Sequence, residues 1–200
     1  MSNARDLVIV GDSSFAEVAY EYFTYDSDYR VAAFAVERAH LSRDELLGLP
    51  VVAFEDLPQS FAPERYEVYV ALVYSELNRL RTRLVRAAEG MGYGLASFVS
   101  PHARVAQSAK LGRHCFIFED NVIQPYVSLG DNVVLWSGNH IGHHSRLGDN
   151  CFVSSHVVLS GHCEVGENCF LGVNAAVANN VCIARDCWIG PGVVVGADTE

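Results

Sequence analysis

From residue 111 onward the chain places an aliphatic side chain at every sixth position: Leu111, Ile117, Ile123, Leu129, Leu135, Ile141, Leu147, Val153, Leu159, Val165, Leu171, Val177, Ile183, Ile189 and Val195. The phase extends back through Val105 to Val99 and never slips. A fixed period is the signature of a repeat architecture. An α-helix, with 3.6 residues per turn, cannot keep a six-residue stripe on one face. The fifth place of each hexad is restricted as well. It holds small residues such as Cys115, Val127, Ser145, Cys151, Cys163, Ala175 and Val193, with Asn121 and Asn139 as polar entries. Places two to four are rich in Gly, Asp and Asn, as in Gly130-Asp131-Asn132 and Gly148-Asp149-Asn150. Such residues form turns, because Gly accepts positive φ and Asx side chains bond nearby backbone. Each hexad therefore predicts a short flat run and a corner. Three hexads close a triangular coil, and coils stack at about 4.8 Å like neighbouring strands. Residues eighteen apart then share one column.

The first hundred residues lack this period. Short apolar runs at 6–10, 31–36, 51–54 and 67–73 read as strands, and 94–99 reads as a final strand leading into the first hexads. Residues 15–25 read as a helix with Phe15, Val18, Ala19, Tyr22 and Phe23 on one face. Residues 76–89 read as a second helix through Leu77, Leu80, Leu84, Val85 and Ala88. Alternation of strands and helices predicts a small parallel α/β domain. The expected division is 1–98 and 99–200. Gly11-Asp12-Ser13-Ser14 follows the first strand and opens a helix. Ligands sit at the carboxyl ends of strands in such sheets, and free helix N–H groups suit a phosphate. Ser13 or Ser14 also reads as a plain N-cap.

Charge narrows the function classes. A net charge of −10 argues against nucleic acid, whose binders carry a basic stripe. Lys110 is the only lysine, so there is no polybasic membrane patch. No apolar stretch approaches the roughly twenty residues of a membrane span, and the opening residues resemble no signal peptide. A cytoplasmic protein is expected. Of six cysteines, five (Cys115, Cys151, Cys163, Cys169 and Cys187) occupy the inward fifth place, which reads as small buried hydrophobes rather than disulfides or metal ligands.

Candidate chemistry gathers where His140, His143, His144, His156 and His162 fall within two coils. Histidine is the side chain best matched to proton transfer near neutral pH. By column, His144 and His162 stack, His143 lies beneath Gly161, and His156 lies above Gly138. Both glycines leave room beside an imidazole. His102, His114 and His162 read as solvated corner residues.

The hexad array resembles the left-handed parallel β-helix of hexapeptide-repeat acyltransferases. With the α/β domain ahead of it, essentially the whole chain resembles the bacterial nucleotide-sugar acyltransferase family. Members include N-acetyltransferases of UDP-linked 4-amino sugars and sialic acid O-acetyltransferases. The resemblance implies a small Rossmann-like sheet followed by a left-handed β-helix, assembled as a homotrimer. It implies that the first β–α loop (Gly11, Asp12, Ser13, Ser14, Phe15) and the end of the second strand (Glu37, Arg38) hold the nucleotide. Asp12 and Phe15 depart from the usual loop, Gly-x-Ser/Gly-Gly-His-Gly. Asn78-Arg79-Leu80-Arg81 resembles the Asn-x-x-Arg that opens the family's later helix; otherwise Arg79 and Arg81 read as solvated charges. Ile141-Gly142-His143-His144 matches the catalytic Ile-x-His-Asp/Glu, which makes His143 the general base. His144, the second implied catalytic residue, stands where the family carries a carboxylate. As a neutral ring it can still accept a hydrogen bond but brings no negative charge, so another acceptor is expected to orient His143, or the activity at neutral pH is expected to be lower. Acetyl-CoA is the implied co-substrate, in a groove between two β-helices, with Gly161 N–H receiving the thioester oxygen and Ser155, Val173 and Pro191 lining the groove. Trp136 and His140 complete the expected substrate-binding set.

The resemblance thus implies acetyl transfer to a nucleotide-linked amino sugar in surface glycan synthesis, with sugar O-acetylation as the alternative. Two readings of other classes use the same helix type. A zinc enzyme resembling the β-helical carbonic anhydrases takes two ligands five residues apart from one chain, and none of the five histidines forms that pair. A non-catalytic scaffold would bind no acetyl-CoA.

Overall fold

A computed structural model describes residues 5–199; residues 1–4, on which the signal-peptide expectation falls, and residue 200 lie outside the described residues. The chain divides into two compact units, Met1–Ser75 with Leu80–Ala96, and Glu76–Arg79 with Ser97–Glu200.

The first unit is built around a six-stranded sheet. In chain order the elements are β1 (Arg5–Val10), α1 (Ser14–Tyr25), β2 (Tyr29–Val36), β3 (Glu45–Leu46), β4 (Leu49–Ala53), α2 (Leu57–Ser60), β5 (Tyr66–Val70), α3 (Arg79–Gly90) and β6 (Gly94–Leu95). The strand order is β3-β4-β2-β1-β5-β6. Every pair is parallel except β3–β4. That edge hairpin was not predicted. Its two-residue turn, Leu47-Gly48, has φ of 52° and 77°, the double positive φ that suits the twist of a tight hairpin. Strands β1, β2 and β5 supply the apolar core (Val8, Val10, Ala33, Ala35, Val68, Val70), which α3 meets with Leu84, Val85 and Ala88.

Four expectations shift here. The predicted 67–73 strand stops at Val70. The predicted 76–89 helix begins only at Arg79, because Glu76, Leu77 and Asn78 all have positive φ (52°, 52° and 62°). The predicted 94–99 strand is two strands: Ala96 N–H bonds Val68 O at 2.9 Å in the first unit, and Phe98 N–H bonds Cys115 O at 2.8 Å in the second. Arg81 is not a solvated helix charge. It is fully buried and donates to Tyr69 Oη at 3.2 Å and to Val70 O, with the guanidinium 5.1 Å from the Tyr69 ring. Burying a cation is tolerated only with such partners. Arg79 is exposed and pairs with Asp186 at 2.8 Å.

The second unit is a parallel β-helix. Two-residue strands recur every six residues from Phe98–Val99 to Val194–Val195, except at Lys110, which makes an isolated bridge to Ser128, and stack into three sheets of six, four and six strands. Pairing advances by eighteen residues per coil, as in Val134↔Phe152 and His140↔Val158. The aliphatic column is buried from Ile117 to Val195 and, with the fifth-place residues, forms one continuous core. Each such burial contributes about 1.5–3 kcal/mol. The end coils depart from the pattern. Val99 is 39% exposed and Val193 42%, because each end has a neighbouring coil on one side only.

The polar inward entries are satisfied by backbone. Asn139 Oδ1 accepts from Val157 N–H at 2.7 Å, and Ser145 Oγ accepts from Cys163 N–H at 3.0 Å. All six cysteines are free thiols; Cys115, Cys151, Cys163 and Cys169 are buried. At the corners the fourth place adopts left-handed backbone, for example Asn132, Asn150 and Asn168 at 60°, 60° and 58°. Asn and Asp tolerate this conformation better than other residues with a Cβ. Among the described residues, no helix is long and apolar enough to cross a membrane.

Candidate functional site

One corner of the β-helix stacks Gln124-Pro125-Tyr126, Gly142-His143-His144 and Ser160-Gly161-His162. Its backbone is tied coil to coil. His144 N–H bonds Pro125 O at 3.1 Å and His162 N–H bonds His143 O at 2.9 Å. Gln124 Oε1 accepts from His143 N–H at 2.9 Å. His143, His144 and His162 are all exposed.

The side chains form an ordered set. His143 Nδ1 and His144 Nδ1 are 3.1 Å apart, so one of the two carries the shared proton. The His144 ring lies between Tyr126 (4.7 Å, 33°) and His162 (4.8 Å, 15°). His143 stands edge-on to both imidazoles, at 87° and 88°. A Cβ on Gly161 would lie 2.7 Å from His143 Cε1 and 2.8 Å from Nε2, so only glycine leaves room for this ring. An imidazole confined on one side, with Nδ1 engaged by a second imidazole, keeps Nε2 for proton transfer.

Several predicted residues are placed differently from expectation. His162 is not a lone solvated side chain but joins the cluster; the eighteen-residue spacing from His144 was the signal for it. His114 is not solvated either. It is 1% exposed, with Nδ1 2.8 Å from Asn132 Oδ1. The Gly161 N–H, expected to be a free donor, bonds Asn179 Oδ1 at 2.9 Å. Sequence reading missed Asn179, although it sits eighteen residues beyond Gly161. Ser155, Val173 and Pro191 share a column as expected, with Asn174 N–H on Ser155 O and Gly192 N–H on Val173 O. That column belongs to a different corner from Gly161, so one chain does not bring the predicted acetyl-CoA set together. Trp136 is on that other corner too, stacked on Phe118 at 4.3 Å. There His156 fills the space over Gly138, whose Cβ would meet Nδ1 at 2.5 Å. His140 is half-buried on the strand leading to the histidine corner, paired with Val122 and Val158.

In the first unit, Gly11 follows β1 where the strand order reverses between β2 and β5. Its φ is 125° and a Cβ there would lie 2.8 Å from Ala71 O, so the position requires glycine. Ser13 takes the N-cap position of α1 but makes no side-chain capping bond, and Ser14 is exposed beside it. The capping reading of these serines is therefore not what the loop does. Asp12 is half-buried and pairs with Arg43 at 3.5 Å. Phe15 is 3% exposed, edge-on to Tyr69 at 6.3 Å, and belongs to the core. Glu37 accepts both Arg83 nitrogens at 2.7 and 2.8 Å, and those hydrogen bonds hold its carboxyl below the usual range. Arg38 pairs with Asp56 at 2.7 Å.

Residues 126–161, which include most of this corner, match the family described as Bacterial transferase hexapeptide (six repeats). Among solved structures, the chain is similar to PerB from Caulobacter crescentus in complex with CoA and GDP-perosamine: 31% identity over 96% of this chain and 89% of that one, with a TM-score of 0.86. The acetyltransferase domain of PglB from Neisseria gonorrhoeae shares the fold at 23% identity, over 98% of this chain and 93% of that one, with a TM-score of 0.87. WeeI from Acinetobacter baumannii also shares it, at 17% identity and a TM-score of 0.64, over 97% of this chain and 95% of that one. No curated protein sequence matches.

Proposed function

The chain belongs to the hexapeptide-repeat family of bacterial sugar acyltransferases, and on that premise we propose that it moves an acetyl group from acetyl-CoA to the amino group of a nucleotide-linked sugar. It is an acyltransferase. The observation that carries the finer reading is His143, exposed, seated against Gly161, with Nδ1 engaged by His144. The relative from Caulobacter that binds CoA and GDP-perosamine has been solved with a histidine replaced by asparagine under the name perosamine N-acetyltransferase.

In this reading His143 Nε2 takes the proton from the acceptor nitrogen as that nitrogen attacks the thioester carbonyl. The carbon–sulfur bond breaks and the proton is returned to the departing thiolate. His144 accepts the Nδ1–H of His143, fixes its tautomer and shares the positive charge that develops. It does so as a neutral ring rather than a carboxylate. General-base help of this kind is worth about 10² to 10⁴ in rate. Oxyanion support from Gly161 N–H requires Asn179 to turn away first.

The Rossmann-like first unit holds the nucleotide. Gly11 lies where doubly wound sheets take ligands, and Ser13 and Ser14 offer hydroxyls not used in capping. Glu37 sits at the end of β2, pre-oriented by Arg83, as an acceptor for the ribose or the base. Acetyl-CoA lies between two chains of a trimer, because Gly161 and the Ser155–Val173–Pro191 column occupy different corners of one chain. The product enters surface glycan synthesis. The test incubates the chain with acetyl-CoA and a panel of nucleotide-linked amino sugars, GDP-perosamine among them, and follows free thiol. Thiol release with at least one sugar is expected, and His143→Ala should lower it by about 10² to 10⁴ while leaving the oligomer intact. Near-wild-type turnover by His143→Ala overturns the assignment.

A further inference from the structure

We propose that His143, His144 and His162 form a binding site for one divalent transition-metal ion of the zinc, nickel and copper group, and that the ion, once bound, blocks the base. Each residue offers one ring nitrogen, and the three atoms lie within 4.8 Å of one another. Two nitrogens on a tetrahedral zinc, at about 2.0–2.1 Å each, stand roughly 3.3 Å apart. His143 Nδ1 and His144 Nδ1 are 3.1 Å apart and so already stand at ligand spacing. Their facing lone pairs require something positive between them, and a metal ion can replace the shared proton. His162 completes the set. Its exposed ring is stacked on His144, and rotation about its own side-chain bonds brings a nitrogen to the ion.

The donor set selects the metal. Three imidazoles suit zinc, copper and nickel, whereas calcium and magnesium require oxygen ligands. Three ligands also leave a fourth position open to water or substrate. The platform is preorganised: His144 and His162 sit in left-handed backbone, at 59° and 60°, and Gly161 confines His143. Binding depends on geometry alone. Its consequence rests on the reading of His143 as base: metal on Nδ1 places the remaining ring proton on Nε2, which can then accept none.

The test uses the untagged full chain, stripped of metal with a chelator. Calorimetric titration with zinc chloride should show one ion per chain, and magnesium chloride should show none. His162→Asn, which keeps a residue suited to left-handed backbone, should weaken zinc binding at least ten-fold. Its zinc inhibition is read against its own transfer rate in metal-free buffer. Zinc should inhibit wild-type transfer, chelator should restore it, and His162→Asn should need at least ten times more zinc. Absence of saturable zinc binding, or wild-type affinity in His162→Asn, overturns the site. Undiminished transfer at saturating zinc overturns the block. Failure of transfer in metal-free buffer with every sugar counts against the acetyltransferase reading, and the calorimetry still decides the metal site.

Discussion

Two corners of the same β-helix have nearly the same backbone and opposite chemistry. One stacks Asn132, Asn150 and Asn168 at φ of 60°, 60° and 58°; the other stacks Tyr126, His144 and His162 at 64°, 59° and 60°. The coil-to-coil amide bonds also agree: Asn168 N–H to Asp149 O and His162 N–H to His143 O are both 2.9 Å. The first corner spends its polar groups on itself. Asn132 donates to Asn150 at 2.9 Å, Asn150 to Asn168 at 3.1 Å, and Asn168 to Asp186 at 3.1 Å. The second makes no such ladder: the rings of Tyr126, His144 and His162 lie over one another, whereas ring nitrogens hydrogen-bond in the plane of the ring. The lesson is that the coil fixes where side chains stand, and reactivity is left wherever they cannot satisfy one another.

The sharpest way to break this comparison is to add one methyl to each corner. Gly161→Ala would push its Cβ into the His143 ring, a movable side chain, whereas Gly166→Ala would push into the Arg185 backbone. Transfer by Gly161→Ala should fall about 100-fold, as expected for a catalytic group displaced by about 1 Å, with the melting temperature little changed. Gly166→Ala should lose melting temperature and keep its turnover per folded molecule. Equal losses of stability in the two variants would erase the contrast.

A smaller effect is expected at the partner of the base. His144→Ala removes the hydrogen bond to His143 Nδ1, and kcat should fall about ten-fold, the equivalent of a bond worth roughly 1.4 kcal/mol, with KM for acetyl-CoA unchanged. His144→Glu, which supplies a carboxylate, should match or exceed the wild type in steady-state rate at neutral pH. If alanine and glutamate behave alike, His144 does not orient the base.

The smallest effect on chemistry should come from the closed corner. Asn150→Ala removes the bonds to Asn132 and Asn168 and puts a Cβ residue with no local hydrogen bond into left-handed backbone. A loss of about 2 kcal/mol is expected from these two costs, read by denaturant unfolding, with kcat unchanged. A fall in kcat would mean that the two corners communicate.

Much of the second unit was legible beforehand, because a six-residue period converts position in sequence directly into position in space. The stacking of His144 on His162, the space over His143 at Gly161 and the inward cysteines all follow from counting. Counting named the columns but not the bonds made along them, although Asn132 and Asn179 stand eighteen residues beyond His114 and Gly161. His114 read as solvated, yet Asn132 takes its nitrogen; Gly161 N–H read as free, yet Asn179 accepts it. In the first unit the strand–helix alternation was readable, but helical spacing alone could not separate Leu77 from Leu80. The left-handed backbone at residues 76–78 shows only in the dihedral angles. Arg81 was indistinguishable from a surface charge until Tyr69 and Val70 were brought around it.

The amino-acid order by itself determined the coil, its inward columns and the corner on which the histidines fall, because repetition makes each of these a local consequence of residue type and spacing. The folded chain alone decided which polar atoms are spent and which are left, since hydrogen-bond partners from neighbouring coils and strands are set by contacts between residues far apart in sequence. That is why the corner carrying His143, His144 and His162 could be placed from the sequence, while the approach of His143 Nδ1 to His144 Nδ1 could be read only from the structure.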